Sequence, residues 1–249
     1  MQFIDTHVHL TYPDFGDIGE VITRAKEVGV TRFVSPGLDF KSSEQVIALA
    51  KSYPEIIPGI GLHPLGEAEE LAPYADLAKL PEVKAIGEIG TDRNAGPMED
   101  QEKRLRFFLD LAVQTEKPAL IHIRETWDET FQILADYPQL RGKAVIHCFT
   151  GTKKEASKMR ELGLLMSVTA ILARKNMSPE TLEAVKEWPL DQMMLETDGP
   201  YLAWPGEKWP NEPSTVAKVA QFIAELKGVS IEEVAERTTQ TAERFFNLK

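Results

Sequence analysis

The sequence predicts a single (β/α)8 barrel of the TIM type, and three observations carry that reading. The 249 residues suit one such barrel, and 43% of them are hydrophobic, enough to bury a large core. Short apolar runs alternate with longer amphipathic stretches along the whole chain, the pattern of strands and helices around a parallel sheet. No Pro/Gly/Ser-rich tract, charge block, internal repeat or low-complexity run divides the chain, so residues 1–249 read as one domain.

In order, the expected strands are Gln2–His9, Thr31–Ser35, Ile57–Leu62, Lys84–Gly90, Pro118–Ile123, Lys143–Cys148, Leu164–Val168 and Gln192–Thr197. The seventh follows Gly163 and leads into Ser167-Val168-Thr169, which shortens the expected strand. Helical patterns fall near Ile18–Val28, Ser43–Ser52, Ala68–Lys79, Asp100–Glu116, Thr126–Asp136, Lys153–Leu162 and Pro179–Glu187. Two further helices, near Ser214–Leu226 and Ile231–Phe246, close the chain. Each of the eight strands is then followed by a helix, which completes a barrel.

Composition narrows the function. A net charge of −11 disfavours a passive nucleic-acid-binding module, which carries a basic footprint. It does not exclude a metallonuclease, because bound cations receive the phosphate. Cys148 is the one cysteine and forms no internal disulfide. The amino terminus lacks a basic residue before its apolar run, and no window has the length of a membrane span. These features point to a cytoplasmic protein without a membrane association or an obligate protein partner. No nucleophile-elbow motif or phosphate-binding Gly-rich loop is present.

The five histidines, His7, His9, His63, His122 and His147, all fall at the carboxyl end of an expected strand or just after it. That is the face on which active sites of such barrels sit. His7 and His9 stand at i and i+2, which on a strand share a face with Cα atoms roughly 6.6 Å apart. Glu88 lies in an apolar run between Gly87 and Gly90, where an unpaired carboxylate is costly. A cation or an ion pair across the barrel satisfies it, and the glycines leave room for a large group. His122 and His147 each end a β-rich run. Asp198 ends the last strand, which closure of the barrel places beside the first, so it can reach a metal near His7 and His9 and the water that metal activates, or else cap a short turn before Pro200. Glu196, two residues earlier and deeper, reads as structural. Four imidazoles and two carboxylates suit Zn, Mn, Co or Mg, and a paired site with a shared carboxylate explains their number better than two separate sites. Arg124, two residues after His122, is a candidate phosphate contact. Trp204 and Trp209, among prolines in the loop after strand eight, either stack on bases or fold onto the barrel.

The segments FIDTHVHL, GLHP, GEIGTD, PALIHIR, HCFTG, ETDGPYL and NEP, in this order from Phe3 to the carboxyl terminus, closely resemble the TatD family of metal-dependent deoxyribonucleases. The resemblance implies a site for two divalent ions and hydrolysis of phosphodiester bonds in DNA, single-stranded DNA being the expected substrate. It places His7, His9 and Asp198 on one ion, His122 and His147 on the other, and Glu88 between them. It puts His63 near the site as a contact to substrate phosphate or to a metal-bound water, with Asp198 and Glu88 as the catalytic carboxylates. Thr91, Leu65, the Trp209-Pro210 pair and the stretch Ser167–Lys175 depart from the usual family pattern, in regions expected to line the substrate cleft. The same metal site on another bond, in a D-aminoacyl-tRNA deacylase or an ester, amide or lactone hydrolase, is the alternative reading. A non-catalytic scaffold is a third.

Overall fold

The computed structural model describes residues 1–248. Its strands are β1 (Phe3–Asp5), β2 (Val30–Pro36), β3 (Ile56–Ile60), β4 (Ala85–Asp92), β5 (Ala119–Arg124), β6 (Ala144–Ile146), β7 (Leu165–Val168) and β8 (Met193–Leu195). They form one eight-stranded sheet in sequential order. The pairs β1–β2, β3–β4, β4–β5, β5–β6 and β7–β8 are parallel. The first and last strands meet as well: Thr6 N donates to Leu195 O at 3.0 Å, and Val8 bridges Gly199 in parallel. This is the (β/α)8 topology that the alternation predicts.

The helices are α1 (Ile18–Glu27), α2 (Phe40–Ser52), α3 (Tyr74–Lys79), α4 (Met98–Thr115), α5 (Trp127–Ala135), α6 (Lys153–Leu162), α7 (Pro179–Glu187), α8 (Val216–Lys227) and α9 (Ile231–Phe245). Their starts follow from local chemistry. Asp17 caps α1, Ser178 caps α7 ahead of Pro179, and Ser230 caps α9, each accepting an orphan backbone N–H. α2 begins three residues before the sequence pattern suggests, because Asp39 and Ser42 form a reciprocal capping box. α3 is shorter than Ala68–Lys79. Pro73 lacks the N–H a continuing helix needs, and Glu69 instead accepts hydrogen bonds from Phe40 N and Tyr74 Oη.

The chain packs as two compact units. One comprises Met1–Ser35, Cys148–Ser157 and the chain from Met166 onward. Its core gathers Phe3, Phe33, Val34, Met193, Met194, Val219, Ile223 and Phe245, with Trp188 buried and its indole N–H donated to Gln192 O at 2.9 Å. The other comprises Pro36–His147 and Lys158–Leu165. There β4 is buried over all eight residues, and Tyr74 and Phe108 meet edge to face at 4.9 Å beneath it. Among the described residues, no helix is long and apolar enough to cross a membrane.

Candidate metal centre

In the first unit the chain leaves β1 at Asp5, four residues before the sequence pattern suggests. The cause is the Asp5 carboxylate itself. Its Oδ1 accepts the backbone N–H groups of His7 (3.2 Å) and Thr197 (3.0 Å), and its Oδ2 accepts the Thr197 hydroxyl (2.6 Å). A side chain that captures nearby amides competes with strand pairing. Burial pushes the Asp5 carboxyl well above the usual carboxylate range, against the pull of these hydrogen bonds. Beyond this clasp, His9 N donates to Gly199 O (2.7 Å) and Asp198 N to His7 O (2.8 Å), so the segments after β1 and β8 run side by side.

His7 and His9 therefore keep the common side expected of i and i+2, with ring centroids 5.0 Å apart and nearly perpendicular. Asp198 faces them: its Oδ1 is 3.4 Å from His9 Nε2 and 4.0 Å from His7 Nε2. One donor atom from each of the three lies within 4.8 Å of the others. Asp198 takes the left-handed conformation (φ 57°), which aspartate tolerates better than most residues. Glu196 points elsewhere. Its two oxygens accept Cys148 N and the Ser167 hydroxyl, both at 2.6 Å, in keeping with a structural role.

In the second unit, Glu88 sits on β4 with its side chain 3% exposed. Three imidazole nitrogens converge on Oε1: His122 Nδ1 at 2.9 Å, His147 Nε2 at 3.1 Å and His63 Nε2 at 3.5 Å. The sequence permits this because β4 and β5 approach closely at the glycines. A Cβ at Gly90 would lie 2.0 Å from His122 O, and one at Gly87 would lie 2.5 Å from Leu120 Cβ. Donor atoms of His63, Glu88 and His122 also fall within 4.8 Å of one another.

His63 is tied in a particular tautomer. Its Nδ1 accepts the N–H of Leu65 at 3.1 Å, so a neutral ring carries its proton on Nε2, the nitrogen facing Glu88. His63 is therefore a hydrogen-bond donor in this cluster, suited to an anionic oxygen rather than to a cation.

Asp92 was not anticipated. Its Oδ2 lies 3.1 Å from His122 Nε2, on the opposite side of that ring from Glu88, and its Oδ1 accepts Asn94 N at 2.7 Å. Gln101 holds its backbone, accepting Asp92 N (2.8 Å) and donating to Asp92 O (3.1 Å). The His122 hydrogen bond holds the Asp92 carboxyl down at about 2, against the effect of burial. Burial also works against the charged form of His122, but Asp92 and Glu88 outweigh it and raise its pKa above the ordinary imidazole value. The signal was present in the sequence: Asp92 follows Glu88 by an even number of residues on the same strand.

Arg124 is exposed at the end of β5, and its charge adds to the lowering at Asp92. Thr91, expected to line the cleft, instead turns into the packing. It is fully buried, with its hydroxyl 2.7 Å from Thr126 Oγ1 and 2.5 Å from Thr130 Oγ1. Ser167 likewise lies inside, against Glu196. Lys153 pairs with Glu187 at 2.6 Å on the surface. The two tryptophans of the loop after β8 divide: Trp204 packs toward Phe222, whereas Trp209 is 51% exposed.

An eight-stranded parallel α/β barrel with imidazole–carboxylate clusters at and beyond the carboxyl ends of its strands belongs, as a class, with the metal-dependent barrel hydrolases. Comparison with known proteins narrows this. The family described as TatD related DNase matches residues 4–247, and the chain belongs to that family. The metal-dependent hydrolase YabD of Bacillus subtilis is 34% identical over 255 residues, spanning 99% of this chain and 100% of that protein. The 3'-5' ssDNA/RNA exonuclease TatD of Erwinia tasmaniensis is 34% identical over 259 residues, spanning 98% and 99%. Among solved structures, the TatD homologue YjjV of Escherichia coli superposes with a TM-score of 0.92 at 28% identity, covering 99% of this chain and 98% of that one.

Proposed function

We propose that this hydrolase cleaves phosphodiester bonds in single-stranded DNA or RNA from the 3′ end, with one divalent ion at each of its two donor clusters. The observation that carries the reading is the buried carboxylate oxygen of Glu88 with His122 Nδ1 at 2.9 Å and His147 Nε2 at 3.1 Å. Such a gathering of lone pairs and negative charge in a buried place suits a cation. The donors are imidazole nitrogen and carboxylate oxygen without thiolate, a set that fits Zn, Mn, Co or Mg. An ion held there would lower the pKa of water and offset charge that develops on phosphate oxygens.

His7, His9 and Asp198 would hold one ion, and Glu88, His122 and His147 the other. Asp198 also orients the attacking water and accepts its proton. His63 Nε2 donates to a phosphoryl oxygen, the role its tautomer suits, and Arg124 adds positive charge toward the phosphate. Asp92 accepts from His122 Nε2 and so leaves Nδ1 as the ligating nitrogen, the arrangement common around metal-bound histidine. The histidines must be neutral to ligate, so activity falls as acid protonates them. With one cysteine in the chain, the reading extends to a cytoplasmic enzyme.

The test is degradation of a 5′-labelled single-stranded oligonucleotide, with and without a strong chelator, beside assays on aminoacylated tRNA and small esters. The proposal expects a ladder that shortens from the 3′ end and stops on chelation. Turnover of the esters or charged tRNA, with the oligonucleotide intact, would overturn it.

A further inference from the structure

We infer that Tyr12, Tyr201 and Trp209 form a stacking platform for an unpaired nucleobase of the substrate, leading outward from the His7/His9/Asp198 cluster. The inference rests on the nuclease reading above and adds to it the residues that would hold the base.

Among the described residues, the exposed large hydrophobic side chains are Met1, Val28, Leu65, Tyr201 and Trp209. The two aromatic ones touch, with ring centroids 5.5 Å apart. They continue a row that begins at the candidate metal ligand. The His9 ring lies 6.0 Å from Tyr12 and 6.2 Å from Tyr201, and those two tyrosines are 5.6 Å apart. Accessibility rises along the row: His9 is 2% exposed, Tyr201 39% and Trp209 51%. The row thus leads from the metal cluster, where a phosphate would sit, outward past Tyr201 to Trp209, where an unpaired base can stack.

The rings are also held still. Tyr12 and Tyr201 share a hydroxyl–hydroxyl hydrogen bond of 2.6 Å, and Trp209 Nε1 donates to Asp14 Oδ1 at 3.0 Å. Fixed by their polar ends, the aromatic bodies are ordered before a ligand arrives, so little conformational entropy is lost on stacking. Trp204 in the same loop behaves differently, half-buried toward Phe222.

Charge supplies the second argument. A chain of net charge −11 gains no general Coulombic attraction for a polyanion. Apart from the ions and the single contacts of His63 and Arg124, affinity must come from contacts indifferent to phosphate charge, and a base stacked on an aromatic ring is such a contact for every base type. It also requires that the base be unpaired, since a paired base has its faces covered by its neighbours. The platform therefore selects single strands.

The experiment compares kcat/KM for a single-stranded oligonucleotide with that for the same oligonucleotide made abasic at its terminal nucleotides. Wild-type protein should prefer the base-bearing form by about tenfold or more, in line with the range for base–aromatic stacking. In Trp209→Ala the ratio should fall toward one, and in Trp209→Phe, which keeps a ring, it should stay near the wild-type value. A wild-type ratio retained in Trp209→Ala would overturn the inference. Tryptophan fluorescence, followed on mixing with each oligonucleotide, separates the two claims. If no oligonucleotide is hydrolysed, the nuclease reading fails. Quenching by the base-bearing strand that vanishes in Trp209→Phe would still support the platform, and equal quenching by the abasic strand would reject it.

Discussion

Replacing Gly90 by alanine tests how closely β4 and β5 must approach to assemble the second cluster. The added Cβ would meet His122 O at 2.0 Å and the His122 carbonyl carbon and amide nitrogen at 2.8 Å each. All three are backbone atoms, so no flexible side chain can yield. Restoring ordinary contact, at 3.4 Å or more, requires β4 and β5 to part by about 1.4 Å. Overpacking of this kind costs about 1–3 kcal/mol. The backbone conformation, φ 153°, is one that residues with a Cβ rarely adopt and adds about 1–3 kcal/mol. At about 2–4 °C per kcal/mol for a chain of this size, the melting temperature should drop by at least about 4 °C and as much as about 24 °C. Because the displaced group is the backbone of His122, metal affinity should fall as well. Gly96→Ala is the matched control, since nothing lies within 4 Å of its Cβ; it should leave melting unchanged or raise it slightly. Thermal denaturation by circular dichroism reads both. A Gly90→Ala protein that melts within about 2 °C of wild type and binds metal normally would refute the reasoning.

Three further outcomes are expected. Asp92→Asn should weaken metal binding by about 10- to 100-fold, as loss of a carboxylate behind a ligating histidine does, with thermal stability little changed; metal titration beside a melting curve checks it. Glu88→Gln and Asp198→Asn should each abolish nuclease activity while leaving a folded protein, read by oligonucleotide degradation and circular dichroism. Lys117 should make stability depend on alkaline pH: burial, with Lys84 nearby, lowers its pKa from 10.5 to about 8. Its ammonium donates to Ala78 O and Leu80 O at the end of α3. Between about pH 8 and 10.5 the unfolded chain holds the proton that the folded chain has released, so stability attributable to this group rises with pH over that window. Urea unfolding of wild type and Lys117→Met at pH 7 and pH 10 should show wild type gaining on the variant, and a difference independent of pH would contradict the assignment.

Much of this architecture is legible in the sequence because the signals are periodic. All eight strands lie on the apolar runs, and histidines fall at or just beyond the carboxyl ends of four of them, β1, β3, β5 and β6. The early end of β1 was not legible, because it depends on Asp5 capturing the amide and hydroxyl of Thr197, which lies far along the chain. The shortening of α3 was more accessible, with Pro73 in plain view. Asp92 escaped because an acidic residue at a strand end reads as an ordinary surface group until His122 is seen beside it. Thr91 shows the converse. A departure from a family pattern next to a site residue suggested a changed cleft, yet alternation along β4 turns its hydroxyl into the packing with Thr126 and Thr130.

The central claim is that these two clusters hold divalent cations. Anomalous diffraction from crystals grown with manganese tests it directly. The account predicts one peak bound by His7, His9 and Asp198 and a second bound by Glu88, His122 and His147. Crystals that diffract well, contain manganese in the medium and show no anomalous density at either cluster would contradict it.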